Sequence, residues 1–211
     1  MCAANPVHGV VWAVVVAAFV VTGAVRGDQR VWPYLTVVLV CTGITGIVNK
    51  NVGFGPGALW LLVLTGTLHL SGGLIPDPTG PGVLYGTWLL PGLLRFDQLV
   101  HTVGSVAATV TAWQLLGTWL GPATPARTHA WLAGLAGLGK GAVNEVIEFV
   151  AAMRVPTFVD GFENTGWDLV FDVVGVVAAA VFLAVSHATR RPARRTEPRT
   201  APAAPAVQVA A

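Results

Sequence analysis

A chain of 211 residues that is 54% hydrophobic and only 10% charged, with a mean hydropathy of +0.68, is not a soluble domain, where about 25% of residues carry charge. Its formal net charge of +2 comes with a single short basic run at the C-terminal end, which excludes a nucleic-acid-binding surface. Cys2 and Cys41 are the only cysteines, one at the extreme terminus and one inside an apolar run. No disulfide framework is expected, and the redox compartment stays open.

Helices of about 20 apolar residues cross the roughly 30 Å hydrocarbon layer. Six such runs follow one another, over residues 7–25, 33–48, 58–75, 97–119, 129–152 and 166–187, the second of them short. The pattern predicts an all-α, polytopic membrane helix bundle of about six transmembrane helices, with residues 1–189 as a single bundle. No Lys or Arg precedes the first run and Arg26 follows it, so it reads as a retained helix rather than a secretory signal. The intervening stretches, residues 26–32, 49–57, 76–82, 121–127 and 154–165, are rich in turn chemistry. Val83 to Leu94 is apolar but too short to cross, and its Pro91 and Gly92 suggest an interfacial or re-entrant piece. No internal repeat is evident, which weakens an inverted-repeat transporter.

Arg190, Arg191, Arg194, Arg195 and Arg199 follow the last run directly. Cytoplasmic segments accumulate such residues, so the C-terminus is expected in the cytoplasm. With six spans the N-terminus joins it, and seven basic residues lie inside against four outside. The tail from 190 to 211 is full of Pro, Ala and Arg, lacks apolar periodicity, and reads as a disordered, topology-setting cytoplasmic segment.

Consecutive spans alternate direction, so the end of one and the start of the next share a membrane face. By that rule His69, Asp97 with His101, Glu145 with Glu148, and Asp168 with Asp172 all fall on one side, within roughly 10 Å of the same face. The charge count makes that face extracytoplasmic. Within each pair the spacing is i,i+4 or i,i+3, so both members point one way. An ionised group at this depth costs on the order of 3 kcal/mol. Five carboxylates therefore need compensation from Lys140, Arg95, Arg154, protonated histidines, bound protons or a divalent metal. Asp97 and Asp168 could instead be first-turn charges on the helix dipole. A lone His69 is more often a hydrogen-bonded helix residue than a ligand. Asp160, Glu163 and Asn164 read as solvated loop residues, with Asn164 a candidate cap for the sixth helix. Gly134, Gly137 and Gly141 leave the fifth run little bulk and mark it for close helix packing.

Arg95-Phe96-Asp97 with His101, Asn144-Glu145 with Glu148, and Asn164-Thr165 followed by Asp168, Asp172 and Gly175 resemble the YjdF-like uncharacterised bacterial inner-membrane proteins and, more distantly, the VanZ-like family, over roughly residues 60–185. The resemblance implies a small helical membrane protein with an acid-and-His core, in a bacterial plasma membrane. For VanZ-like members it also implies an association with glycopeptide resistance and the cell envelope. It carries Asp97, His101, Glu145, Glu148 and Asp168 as the residues of interest. Where the VanZ-like pattern commonly has Asn, this chain has Asp172.

Three functions fit. In an enzyme, a divalent ion held among His69, Asp97, His101, Glu145, Glu148, Asp168 and Asp172 would polarise a phosphoryl or acyl oxygen of an envelope lipid or headgroup, with His101 or Glu148 as general base. Carboxylate-rich ligation favours Mg²⁺ or Mn²⁺, while His admits Zn²⁺ or Fe. In a proton-linked transporter or binding protein, the same acids would exchange protons around a bound solute or lipid. In a structural scaffold, the pairs would only lock helices together. Membrane lipid is the one partner the sequence implies; it names no protein partner.

Overall fold

Turn residues cut the apolar chain into its helices. The computed structural model describes residues 7–121, 123–153 and 161–190 and contains α1 (Val7–Arg26), α2 (Val31–Val52), α3 (Pro56–Leu74), α4 (Phe96–Gly117), α5 (Ala126–Ala152) and α6 (Phe162–Arg190). Cys2, Arg154, Asp160 and the tail 191–211 lie outside the described residues. α2 is longer than the sequence suggested because Asn49, Lys50 and Asn51 prolong it beyond its apolar stretch. It stops at Gly53, whose φ of 66° is left-handed and whose N–H reaches Asn49 O. The Asn49 side chain accepts the Phe54 N–H at 2.7 Å, and Pro56 opens α3, where a missing N–H costs nothing.

Five helices, α1, α2, α3, α4 and α6, are long and apolar enough to cross a membrane. The 27-residue α5 has the length, but Lys140, Asn144, Glu145, Glu148 and its glycines dilute its apolar content. It is the helix that pays for the polar interior, packed against both α4 and α6. The protein is a polytopic membrane helix bundle.

Contacts between loops fix the alternation of directions. The α2–α3 turn is tied to the far end of α4, where Gln114 Oε1 accepts the Gly55 N–H at 2.7 Å. At the opposite face Arg26 and Asp28 line a cavity with Leu74 and Ile75, and Arg95 reaches Asn164. α1 lays Trp12, Val15, Val16, Phe19 and Val20 against a core of Val31, Val38, Leu70 and Leu74. α4 is the axis of the molecule: α3, α5 and α6 pack on it, and no residue from Leu94 to Leu116 is exposed.

The Val83–Leu94 segment is a turn of 3-10 helix at Leu84–Gly86 followed by an antiparallel hairpin, β1 (Trp88–Leu90) with β2 (Leu94–Arg95). Gly92 takes the left-handed φ of 72° at its turn. The segment is sewn to the bundle by Leu84 N–H to Ile75 O and Phe96 N–H to Thr87 O, each 2.9 Å. α4 begins where the Gln98 side chain accepts the Arg95 N–H at 2.8 Å, half of a capping box.

Candidate functional site

α4 and α6 both start at the hairpin face, so they run parallel and their polar stripes meet in register. On α4 the stripe is Asp97, His101 and Ser105; on α6 it is Asn164, Asp168 and Asp172, both at intervals of four residues. α5 arrives at this face with its last turns and adds Glu145 and Glu148. Glycines permit the approach. A Cβ on Gly141 would collide with the Asp172 carboxylate, one on Gly137 with Thr109 and Val176, and one on Gly175 with the Thr102 carbonyl. The packing expected of Gly134, Gly137 and Gly141 is thus also what admits Asp172 to the interior.

His101 sits at the centre. Its Nδ1 is 3.4 Å from Asp172 Oδ1, and its Nε2 is 3.6 Å from Glu145 Oε1 and 3.8 Å from Asp97 Oδ1. Asp168 and Asp172 are 0% and 1% exposed, His101 3%. His101, Glu145, Glu148 and Asp168 each present one ligand atom within 4.8 Å of the other three. Ligands of a six-coordinate Mg²⁺ stand about 3 to 4 Å apart, so a small inward movement would close this set on one ion.

His101, Glu148 and Asp168 are each held by a further side chain. Asp172 faces Nδ1 of His101 and itself accepts the Ser105 hydroxyl at 2.5 Å. Asn144 Nδ2 donates to Glu148 Oε1 at 2.7 Å. Asn164 donates to Asp168 Oδ2, and to Asp97 Oδ2 at 3.2 Å. A histidine whose second nitrogen faces a carboxylate, and carboxylates steered by amides, are the supports that metal ligands commonly have. Among the described residues, Asp168 Oδ1, Asp172 Oδ2 and both Glu145 oxygens are buried without a hydrogen-bond partner. Leaving such an atom unpaired costs about 1 to 3 kcal/mol, more when it is charged.

The remaining sequence candidates take other places. Asp97 adjoins His101 but stands outside the set of four. His69 is turned toward tyrosines: its Nδ1 lies 2.5 Å from the Tyr85 hydroxyl, and its ring is 5.3 Å from that of Tyr34. Burial pushes the Tyr85 phenol well above its ordinary pKa, with Tyr34, Asp97 and Glu148 adding to the effect, so the hydroxyl stays protonated. Lys140 is exposed, and its ammonium lies beside Gly104, 3.2 Å from where a Cβ on that glycine would stand.

Two residues change role. Asn164 is not a loop residue or a cap: it lies within the first turn of α6 and joins Asp97 to Asp168 across the α4–α6 interface. Glu163 is exposed beside it. Ser105 escaped the sequence reading, although its position four residues beyond His101 puts it on the same stripe. A small hydroxyl in an apolar helix usually bonds its own backbone, which hides such a partner.

The model of a family described as a predicted membrane protein (DUF2238) matches residues 7–189, and the chain belongs to this family. No curated protein and no solved structure matches it.

Proposed function

We propose that this member of the DUF2238 family is a divalent-cation-binding membrane protein, the ion held by His101, Glu145, Glu148 and Asp168 and directed at the headgroup of an envelope lipid. The observation that carries this reading is the meeting of four donors from three helices within 4.8 Å. Three of them are steered by Asp172, Asn144 and Asn164. Two like charges 4 Å apart repel by about 4 kcal/mol at an effective dielectric of 20. A single imidazolium cannot offset five neighbouring carboxylates, whereas a divalent ion neutralises two charges and supplies acceptors with a partner. A merely structural polar lock would also pair Asp168 Oδ1, which among the described residues is buried without a hydrogen-bond partner.

Mg²⁺ or Mn²⁺ suits three carboxylates, and the imidazole extends the choice to Zn²⁺ or Fe. Such an ion would act as a Lewis acid toward a phosphoryl or acyl oxygen. His101 and Glu148 would then be ligands rather than bases. Asp97, beside His101 but outside the set, is the carboxylate left to handle a proton. The setting we propose is a bacterial plasma membrane, with the Arg-rich C-terminus cytoplasmic and the site toward the opposite face. The YjdF-like resemblance is compatible with the family match. The VanZ-like one has no support from it, and nothing in this reading draws on glycopeptide resistance.

A second reading, proton-linked transport, is favoured by the three carboxylates 3.4 to 3.8 Å from His101, a chain along which protons can move. Metal analysis of the purified protein separates the two. Wild type should hold about one divalent ion per chain, and Glu148→Gln, which keeps the side chain's size, should fall to background with chelator-sensitive loss of stability. Background metal in wild type, with a Glu148→Gln effect only on pH dependence, would instead select the proton reading.

A further inference from the structure

Arg95 is the last residue of the hairpin, immediately before α4, and among the described residues its guanidinium forms no ion pair. Its Cζ sits 4.6 Å above the Trp88 ring, a stacking that holds the plane of the fork. Nη1 contacts Asn164 Oδ1 at 3.5 Å, the same amide that donates to Asp97 and Asp168. Nε is buried without an acceptor. Among the described residues, then, a permanently charged, half-buried group has an orphaned donor and no anion beside it, a place that an external anion would fill. Asp97 and Asp168 accept from the Asn164 amide, and neither forms an ion pair with the fork.

The surroundings say which anion. The hairpin joins the ends of two membrane-crossing helices, so it lies at the bilayer edge, and it exposes Trp88, Leu89, Leu90 and Leu93 together. Four neighbouring apolar side chains at that level face acyl chains, and Trp over Arg is a pairing suited to the headgroup layer. A planar guanidinium fork matches phosphate oxygens bidentately.

We propose that Arg95, held on Trp88, is the clamp for the phosphate of an anionic phospholipid. The hairpin would seat the lipid's acyl chains and the phosphate would lie between Arg95 and the ion site. This rests on the cation reading to the extent that carboxylates without an ion would repel a phosphate.

The test uses purified full-length protein in dodecyl maltoside. Dioleoyl phosphatidic acid, dioleoylglycerol and inorganic phosphate are the probes, binding is read by native mass spectrometry, and metal content is measured on the same samples. Wild type should retain phosphatidic acid but not dioleoylglycerol, and an equal concentration of inorganic phosphate should not displace it. Arg95→Gln should weaken phosphatidic acid about tenfold, the value of one charge-assisted contact. Arg95→Lys, which keeps charge and fold but loses the fork, should weaken it less, and both should keep wild-type metal content. Unchanged phosphatidic acid binding in both variants would overturn the proposal. So would equal retention of dioleoylglycerol, or displacement by inorganic phosphate, which would make free phosphate the ligand. Absent metal in wild type with the Arg95 dependence intact would remove the cation reading alone and leave the clamp standing.

Discussion

In the first three helices the surfaces that meet are aromatic and branched: Trp12, Phe19 and Val20 of α1 lie against Val31 and Val38 of α2 and Leu70 and Leu74 of α3. In the last three they are glycine and carboxylate, with Gly141 under Asp172 and Gly175 against the Thr102 backbone. Lipid tails are as apolar as leucine, so neither set is driven together as it would be in water. The first half relies on shape, large rings seated on small residues such as Gly66 beneath Trp12 and Gly73 beneath Tyr34. The second relies on backbone proximity and on polar groups that have no better partner in hydrocarbon. An apolar interface tolerates loss of one methyl group far better than a buried charge network tolerates loss of one member.

The sharpest way to break this comparison is to remove the central imidazole. His101→Ala leaves Asp97, Glu145 and Asp172 facing one another and should cost about 3 to 5 kcal/mol. Leu70→Ala in the apolar half should fall at the low end of the 2 to 5 kcal/mol typical of core truncations. Denaturation of both in the same detergent reads the difference, and equal losses would erase the distinction between the halves.

A smaller effect is expected from added bulk. Gly141→Ala drives a methyl group into the Asp172 carboxylate and should cost about 1 to 3 kcal/mol. Gly43→Ala on α2, which has open space around it, should be neutral or gain up to about 1 kcal/mol of helix propensity. Matched unfolding temperatures for the two would show that close packing in the second half is not limiting.

The smallest effect belongs to the α1–α2 turn. The Arg30 guanidinium, bonded to Asp28 at 2.7 and 2.9 Å, holds that carboxyl below its ordinary pKa. A depressed folded-state value means that the stabilisation is present above the ordinary carboxylate range and is lost as pH falls through the lowered value. Arg30 is 42% exposed, so the pair should contribute only a few tenths of a kcal/mol. Asp28→Asn should remove this acid-side dependence and leave the profile above pH 6 parallel to wild type; a large loss at neutral pH would mean that the turn anchors the first half.

The helices were legible because their signals are local: apolar runs of the right length, with Gly, Pro and Asn where they stop. That Asp97, His101, Glu145, Glu148, Asp168 and Asp172 come to the same end of the bundle was legible too, since alternation of spans and i,i+4 spacing need no knowledge of which helices touch. The hairpin was not, because Val83 to Leu94 is short and its strands pair only with each other. Tertiary structure alone decided that α4 and α6 lie parallel in register, which sets Asn164 on Asp97 and Ser105 on Asp172. It also decided that His69 turns to Tyr85 while His101 enters the carboxylate cluster. Both histidines sit in apolar helices at similar depth, and what separates them is the neighbour each helix face meets. That is a property of packing between distant segments, and no periodicity along one segment encodes it.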